Sequence, residues 1–427
     1  MQKYTFGIYS LAGIKFLDIT TDVDGVDMSQ SSIIQDLKAI LTGHPLTLEG
    51  TIIITQVDKS HENNLPKLID AYKGMNMPQL NALPSLFLKE IGMDNYYAIT
   101  MNRQLDTGET MALMNQLDSM QNGRSLEEMM KRDLELFGDL LANYQIHAND
   151  GLERIEIGPK DKVKRICRYC HKGIPDTQFD EVAHTISEGF GNKGIITNDE
   201  CDECNSYFGQ EVEPALIEYL DFFRVFYGVQ GKKGKIHHKY GGNYEMVKTD
   251  DDNLKLDVVA SDEEIASMPA EKPGSLKLKS HQAVAKQDIY RSLVKYALGI
   301  LQPEYMSEFG NTVEWLLGNR VIEKLPLVRF EVSAQYNEQP TVAVMIRTSG
   351  ETTLPLAVSE INIMNIRFLI IIPMCDERDV PFLDNSYWDK FVNVFKMYRA
   401  RNWQLQDFSE KAKKVLTMNV NFVEKRL

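Results

Sequence analysis

Four of the five cysteines of the chain form two Cys-x-x-Cys pairs, Cys167 with Cys170 and Cys201 with Cys204. Each pair can make a tight turn that presents two thiolates, and two such turns complete a tetrahedral zinc site. A redox pair would need a strand that leads directly into a helix after the cysteines, and the residues after Cys170 do not fit that pattern. The spacing therefore predicts a structural zinc ion, while Cys375, beside an apolar run, is expected to be a buried thiol.

The length and composition limit what can surround this zinc unit. A chain of 427 residues is long enough for two or three domains, and 43% hydrophobic with 25% charged residues is ordinary globular composition. The longest apolar run, residues 368–372, ends at Pro373 and is much shorter than the roughly 20 residues of a membrane-spanning helix. The N-terminus lacks the features of a signal peptide. We therefore expect a cytoplasmic protein without a membrane span.

Strand-like and helical patterns are mixed along the whole chain, which predicts an α+β, multidomain protein. We expect an N-terminal α+β domain of unassigned role at 1–158, the zinc module at 159–244, an acidic polar connection at 245–275 and a C-terminal α+β domain at 276–427. The patterns predict strands at 4–17, 51–57, 327–336, 341–347 and 366–372, and helices at 31–41, 125–143, 280–301 and around 388–395.

The formal charge of -14 argues against attraction of nucleic acid to the whole surface, since phosphate binding needs a local excess of Lys and Arg. Two basic stretches near the cysteines are local exceptions. The side chains expected to contact phosphates are Lys164, Arg165, Arg168, Lys232, Lys233, Lys235 and Lys239. A solvated surface loop is the alternative interpretation of such a run.

The residues between the two cysteine pairs suggest chemistry beyond a structural zinc site. Residues 179–186 are strand-like and place His184 near the end of the strand, and a glycine-rich loop follows at 189–194. Asn205 comes directly after Cys204 at the expected start of a helix. From Cys167 to Glu213, this order resembles the HNH endonuclease family and its compact ββα-metal fold.

The resemblance implies a role for each motif residue. His184 would be the general base that takes a proton from the attacking water, which suits a side chain that titrates near neutrality. Asn205 would help to hold a catalytic Mg or Mn ion, while the cysteine-bound zinc would be structural. A loop asparagine would orient the base, and both Asn198 and Asn192 fall in the right stretch, with Asn198 favoured.

One position departs from the family pattern. Many members have an acidic metal ligand directly before the base, where this chain has Ala183. Asp180, Glu181 or Glu188 would have to replace it. In a strand, Glu181 points away from the face of His184 and Asp180 points toward it. Glu188, at the entrance of the loop, is the preferred replacement, and Asp180 is the second. Without such a ligand, the unit would be a degenerate nuclease that only binds nucleic acid. The alternative interpretations of His184 and Asn205 are an ordinary strand histidine and a helix cap.

The sequence thus predicts a metal-dependent endonuclease that hydrolyses phosphodiester bonds, with DNA favoured over RNA. Bacterial HNH proteins often serve in antiviral defence, so a regulatory ligand or protein partner is expected to restrain this nuclease, and a homo-oligomer is compatible with double-strand cleavage. The alternative is a non-catalytic, zinc-stapled module that binds nucleic acid or protein. A third interpretation, a zinc staple without nucleic-acid affinity, differs in its response to salt.

Overall fold

The computed structural model describes residues 2–21, 32–43, 51–73, 78–149, 154–231, 234–235, 238–249, 253–259, 261 and 275–421. The chain divides into two compact units, Met1–Leu141 and Ala142–Leu427. Both contain helices and antiparallel strands, so the fold is α+β as predicted. The finer division at 158, 244 and 275 stays a prediction. In the described part of the chain, no helix combines the length and apolarity needed to cross a membrane.

The first unit is a four-stranded antiparallel sheet, in the order β2-β1-β4-β3, packed against helices. Its strands are β1 Gln2–Ser10, β2 Gly13–Thr21, β3 Ile53–Gln56 and β4 Tyr96–Met101, and its helices are α1 Ser32–Thr42, α2 Lys59–Tyr72, α3 Leu83–Ser85, α4 Thr107–Asn122 and α5 Leu126–Asn143, which continues to the second unit. Shorter helical turns occupy Pro78–Ala82 and Leu86–Ile91.

The predicted helices 31–41 and 125–143 are confirmed as α1 and α5. The single strand predicted at 4–17 is wrong, because the chain reverses within it. β1 and β2 pair from Ser10 with Gly13 outward, and Leu11 and Ala12 form the turn. Gly13 has φ of +140°, a conformation that few other residues adopt. The alternating pattern continues through the turn, so it could not mark the reversal.

The second unit is built around one long strand, Val328–Arg347. In chain order, with this long strand as β14, the elements of the unit are β5 Tyr144–Asn149, β6 Ile155–Ile157, β7 Ile195–Thr197, α6 Asp202–Tyr207, α7 Glu213–Phe226, β8 Gln230–Gly231, β9 Gly234–Lys235, β10 His238–Tyr240, β11 Tyr244–Lys248, β12 Leu254–Val258, β13 Ser275–Val284, α8 Lys286–Gly299, α9 Gly310–Leu316, β14 Val328–Arg347, β15 Ala357–Ile371, α10 Trp388–Val394, β16 Gln404–Gln406 and β17 Lys414–Asn421. Helical turns occupy Lys162–Lys164, Glu188–Phe190, Phe208–Val212, Pro303–Phe309, Glu377–Phe382 and Lys396–Tyr398.

β14 pairs with β15 along most of its length, with β16 near its start and with β5 near its end. The sequence predicted two strands here, at 327–336 and 341–347. They are one strand with register shifts between Val332 and Thr341. The predicted helix 280–301 begins later, at Lys286, because residues 275–284 pair as β13 with β17. That partner lies far away in the sequence, so local periodicity does not reveal it.

The cysteine segment shares one hydrophobic core with the centre of the second unit. Cys167, Cys201 and Cys204 are buried among side chains of α7, α8, β14 and β15. α6 begins within the second cysteine pair and contains Cys204. α7 comes next in the chain, with Pro214 in its first turn, where the missing N–H costs no hydrogen bond. The order of extended segment, β7 and α6 agrees with the predicted ββα unit.

Candidate active site

The sulfur atoms of Cys167, Cys170, Cys201 and Cys204 all lie within 4.8 Å of one another, and Cys170 and Cys201 are 3.6 Å apart. A tetrahedral zinc ion with bonds of about 2.3 Å places its sulfur ligands about 3.8 Å apart, so the four side chains fit zinc. All four are free thiols. Hydrogen bonds within the cluster hold the pKa of the Cys201 thiol well below its usual value and raise the pKa values of the Cys167 and Cys204 thiols.

Local hydrogen bonds shape both cysteine turns. The backbone N–H of Cys167 donates to the carbonyl of Lys172 at 2.8 Å, which closes the first turn. His171 has φ of +59° within this turn, so it serves the reversal of the chain. The N–H of Cys201 donates to the sulfur of Cys167 at 3.5 Å, and Cys201 caps α6. The zinc unit thus joins a turn near residue 170 to the start of a helix.

His184 does not lie in a regular strand, contrary to the prediction for 179–186. It forms an isolated bridge with Ile196 of β7. The carboxylate of Asp202 accepts the backbone N–H groups of Asp180 and Glu181 at 3.1 and 3.0 Å. These N–H groups are therefore bound to a side chain instead of a neighbouring strand. The strand-direction argument for the nearby acids consequently does not apply.

His184 contacts the carboxylate of Glu188, which begins the next helical turn. The distance from His184 Nε2 to Glu188 Oε1 is 3.6 Å, and both side chains are partly exposed. A carboxylate beside an imidazole favours its protonated form and fixes its orientation. The pair has the composition of a general base with an orienting partner.

Asn205 lies within α6 and is not its cap, because Cys201 occupies that position. The Asn205 amide donates to Glu181 Oε2 at 3.2 Å, while Asp180 pairs with Lys162 at 2.8 Å. Amide and carboxylate oxygens are the ligands that Mg²⁺ prefers. Glu181, rejected from the strand argument, is thus the acid that lies beside Asn205, whereas the preferred Glu188 lies beside His184.

The structure brings together a complete set of ligands for the predicted zinc ion, but not for the predicted catalytic cation. Across the described ranges, the four cysteines are the only group of three or more His, Cys, Asp or Glu side chains close enough to share an ion. The candidate ligands of a second cation form pairs instead. Substrate phosphate and water supply the remaining ligands in many magnesium sites, so a pair is sufficient protein contribution.

The two loop asparagines have different roles. Asn192 is buried and uses its whole amide: it donates to the carbonyls of Ile186 and Ile195 at 2.8 and 3.1 Å and accepts from the backbone of Gly194 and Ile195. It braces the glycine-rich loop. Asn198 accepts from Arg165 Nη2 at 3.4 Å, and its buried amide nitrogen has no partner among the described residues. Asn198 therefore stays the candidate for orienting a group in the site.

The basic residues predicted to contact phosphates divide into two groups. Lys164 is exposed, and Arg165 is half-buried and bonds the carbonyls of Pro159 and Lys160. The prediction for Arg168 is corrected, because this side chain is buried and pairs with Asp199.

The prediction for Lys239 is corrected for a similar reason. Its ammonium lies 3.3 Å from Glu218 and also contacts Asp221, so its charge is neutralised within the protein. Lys232 and Lys233, and the side chain of Lys235, lie outside the described residues.

Sequence reasoning missed a buried lysine behind the site. Lys295 of α8 contacts Glu213 at 3.1 Å and Glu200 at 3.4 Å, and it donates to the carbonyl of His184 at 3.0 Å. Burial raises the pKa of Glu200 to about 7, against the lowering effect of Lys295. The available signal was a lysine within the otherwise apolar stretch 293–298, where a solvent-facing residue does not fit.

The comparisons with known proteins agree with this geometry. Neither the curated proteins nor the solved structures give a match to this chain. Residues 167–221 match the family model described as HNH endonuclease. These residues contain both cysteine pairs, His184, Glu188 and Asn205. The resemblance of this segment to the HNH endonuclease family is therefore confirmed over residues 167–221.

Proposed function

We propose that the chain is a metal-dependent endonuclease that hydrolyses phosphodiester bonds, with His184 as its general base. The observation that carries this proposal is the occurrence of two contacts, His184 with Glu188 and Asn205 with Glu181, in the segment similar to HNH endonucleases. A zinc staple alone requires neither contact. The four-cysteine cluster fits the structural part of the same site.

In this mechanism, the imidazole ring of His184 accepts a proton from the water that attacks the phosphorus atom. Glu188 Oε1, which lies 3.6 Å from His184 Nε2, stabilises the positive charge of the ring after the transfer. Asn205 and Glu181 offer oxygen atoms to a divalent cation. Bound Mg²⁺ or Mn²⁺ supplies Lewis-acid stabilisation of the charge on the phosphate and the leaving oxygen.

We propose DNA as the preferred substrate, with Lys164 and Arg165 near the first cysteine pair contacting its phosphates. Such contacts add affinity but no sequence information. A nuclease of this kind endangers the DNA of its own cell, and most of the chain lies outside the matched segment. We therefore propose that a ligand or protein partner regulates cleavage, as in a defence effector, and that the active form is a homo-oligomer.

The deciding experiment is cleavage of plasmid DNA and of single-stranded RNA by the full-length protein with Mg²⁺, Mn²⁺ or EDTA. His184→Ala is compared with His281→Ala, a matched change at an exposed histidine of β13. We expect cleavage that requires a divalent cation, falls at least about 100-fold in His184→Ala and persists in His281→Ala. The zinc content should be equal in all three proteins.

Equal cleavage by His184→Ala and the unmodified protein would contradict the assignment of the base. Absence of cleavage, with zinc bound and the fold intact, would favour the non-catalytic binding module. Affinity for DNA that falls steeply with salt would then identify a nucleic-acid-binding function. No affinity at low salt would identify the cysteine cluster as a staple only.

A further inference from the structure

We propose that Lys295 is a positioning residue that holds the backbone of His184, an inference that rests on the proposed function of His184 as the base. Lys295 lies on α8, outside the segment 167–221 that resembles HNH endonucleases. The Lys295 cluster consists of Lys295, Glu200, Glu213 and the carbonyl group of His184. It links the catalytic segment to a helix of the core of the second unit.

Lys295 donates to two backbone carbonyl groups and forms ion pairs with two carboxylates. An ammonium group has three N–H donors and no acceptor. Lys295 Nζ lies 3.1 Å from Glu213, 3.4 Å from Glu200 and 3.0 Å from the carbonyl oxygen of His184. The carbonyl oxygen of Thr185 is 3.3 Å away and also accepts from Lys295. The side chain of Lys295 therefore binds two successive carbonyl groups, those of His184 and Thr185.

The burial of these three charged side chains costs desolvation free energy, so stability alone does not explain the cluster. The side chains of Lys295 and Glu200 are 1% and 0% exposed, and that of Glu213 is 10% exposed. Buried ion pairs contribute little net stability compared with apolar residues of the same size. What an apolar side chain could not do is donate a hydrogen bond to the carbonyl of His184.

α8 can hold the carbonyl of His184 in a fixed position, because its side chains are packed in the core of the second unit. Its C-terminal end, close to Lys295, is also held by Arg168, from the first cysteine turn, which donates to the carbonyls of Leu298 and Leu301 at 2.8 and 3.0 Å. The bridge between the base and β7 is short: the N–H of Thr185 donates to the carbonyl of Ile195 at 3.0 Å, and the N–H of Thr197 donates to that of Ala183 at 2.9 Å. Lys295 adds a second anchor, because it binds the carbonyl of the base to a packed helix. Displacement of a catalytic group by about 1 Å can lower the rate roughly 100-fold.

The test compares two variants of the full-length protein that differ only at residue 295. Glu200→Gln/Glu213→Gln removes both buried carboxylates, so the buried Lys295 should lose its proton, and the neutral amine still has two N–H donors for the carbonyls of His184 and Thr185. The triple variant adds Lys295→Met, which leaves no unpaired buried charge, so it avoids the unfolding expected of Lys295→Met alone. Lys38→Met, at a buried lysine of the first unit, is the control for loss of a buried ammonium group.

We expect the triple variant to have a kcat lower than the double variant by about 10-fold or more, with KM changed less than about twofold. Zinc content and near-UV circular dichroism should be equal. Lys38→Met should keep the unmodified kcat. Equal kcat in the double and triple variants, or a loss found in KM alone, would overturn the assignment, because it would make Lys295 a packing residue.

A second measurement separates this inference from the proposed function. The imidazole ¹H–¹³C signal of His184, assigned by its absence in His184→Ala, should shift or broaden between the double and triple variants. It should stay unchanged in Lys38→Met. This comparison needs no catalysis, so a protein that cuts no nucleic acid would refute the proposed function and still report on Lys295. An identical His184 signal in both variants would refute the positioning role.

Discussion

Three acidic side chains lie close to the candidate base in the sequence, and each has a different partner. Asp180 shares its charge with Lys162, Glu188 contacts His184, and Glu181 accepts from Asn205. A divalent cation binds best where oxygen ligands of different side chains meet. The Asn205–Glu181 pair meets this condition, whereas Asp180 is already engaged by a cation. The division assigns metal binding and base orientation to separate carboxylates.

Glu181→Gln should weaken the binding of the catalytic cation by about 10-fold or more, because it removes the negative charge beside Asn205. Asp180→Asn, the adjacent acid paired with Lys162, is the matched control and should have little effect. The measurements are the Mg²⁺ concentration at half-maximal cleavage and the dissociation constant for Mn²⁺ without substrate. Equal dissociation constants for the two variants would exclude Glu181 as a ligand.

Spacing placed the residues of the motif, but it could not place their partners. The order and separation of the two cysteine pairs, His184 and Asn205 are enough to predict the resemblance to HNH endonucleases, which the family model matches at residues 167–221. The acid beside Asn205 was not, since the argument assumed a regular strand across 179–186. Asp202, from the second cysteine pair, binds the N–H groups that such a strand would use. This contact depends on the assembled zinc turns and has no local sequence signal.

At the scale of elements, the most informative contact is that between the first cysteine turn and the end of α8. Arg168 was expected to bind phosphate, because arginine in a basic run usually faces solvent. In the structure it donates to Asp199 at 2.9 and 2.6 Å and to carbonyls at the C-terminus of α8. A guanidinium group there satisfies carbonyls that have no partner within the helix. Arg168 is buried, which the sequence alone does not reveal, and it therefore has a structural role instead of a phosphate-binding one.

Arg168→Met should lower the free energy of unfolding by roughly 3–5 kcal/mol, because it leaves Asp199 as an unpaired buried charge. Arg165→Met, three residues earlier and half-buried, should lower it much less. Arg165→Met should instead weaken DNA binding and reduce its dependence on salt. Urea denaturation and binding titrations at two salt concentrations measure both effects. A smaller salt dependence in a stable Arg168→Met protein would restore Arg168 as a phosphate contact.

At the scale of the whole molecule, the two units have separate cores, and only one contains the zinc cysteines. Cys167, Cys201 and Cys204 belong to the large core of the second unit, together with residues of α8 and β15. The main core of the first unit is formed by β1, β2, β4 and its own helices. The cysteine segment therefore packs into the same core as the rest of the second unit. Removal of zinc should affect the whole second unit.

Removal of zinc by a strong chelator should therefore lower the melting temperature of the second unit and leave that of the first unit nearly unchanged. Without the metal, four sulfur atoms within 4.8 Å of one another lose the charge that holds them together. Arg168 and the carbonyl of His184 would lose their fixed positions next, since both lie on the segment that the cysteines anchor.

Calorimetry should resolve two transitions, and Cys201→Ser should reproduce the effect of the chelator. Cys375→Ser, at a buried thiol outside the cluster, is the matched control. If chelation lowered neither transition, the cysteine cluster would not be a structural zinc site, and the second unit would depend on its apolar core alone.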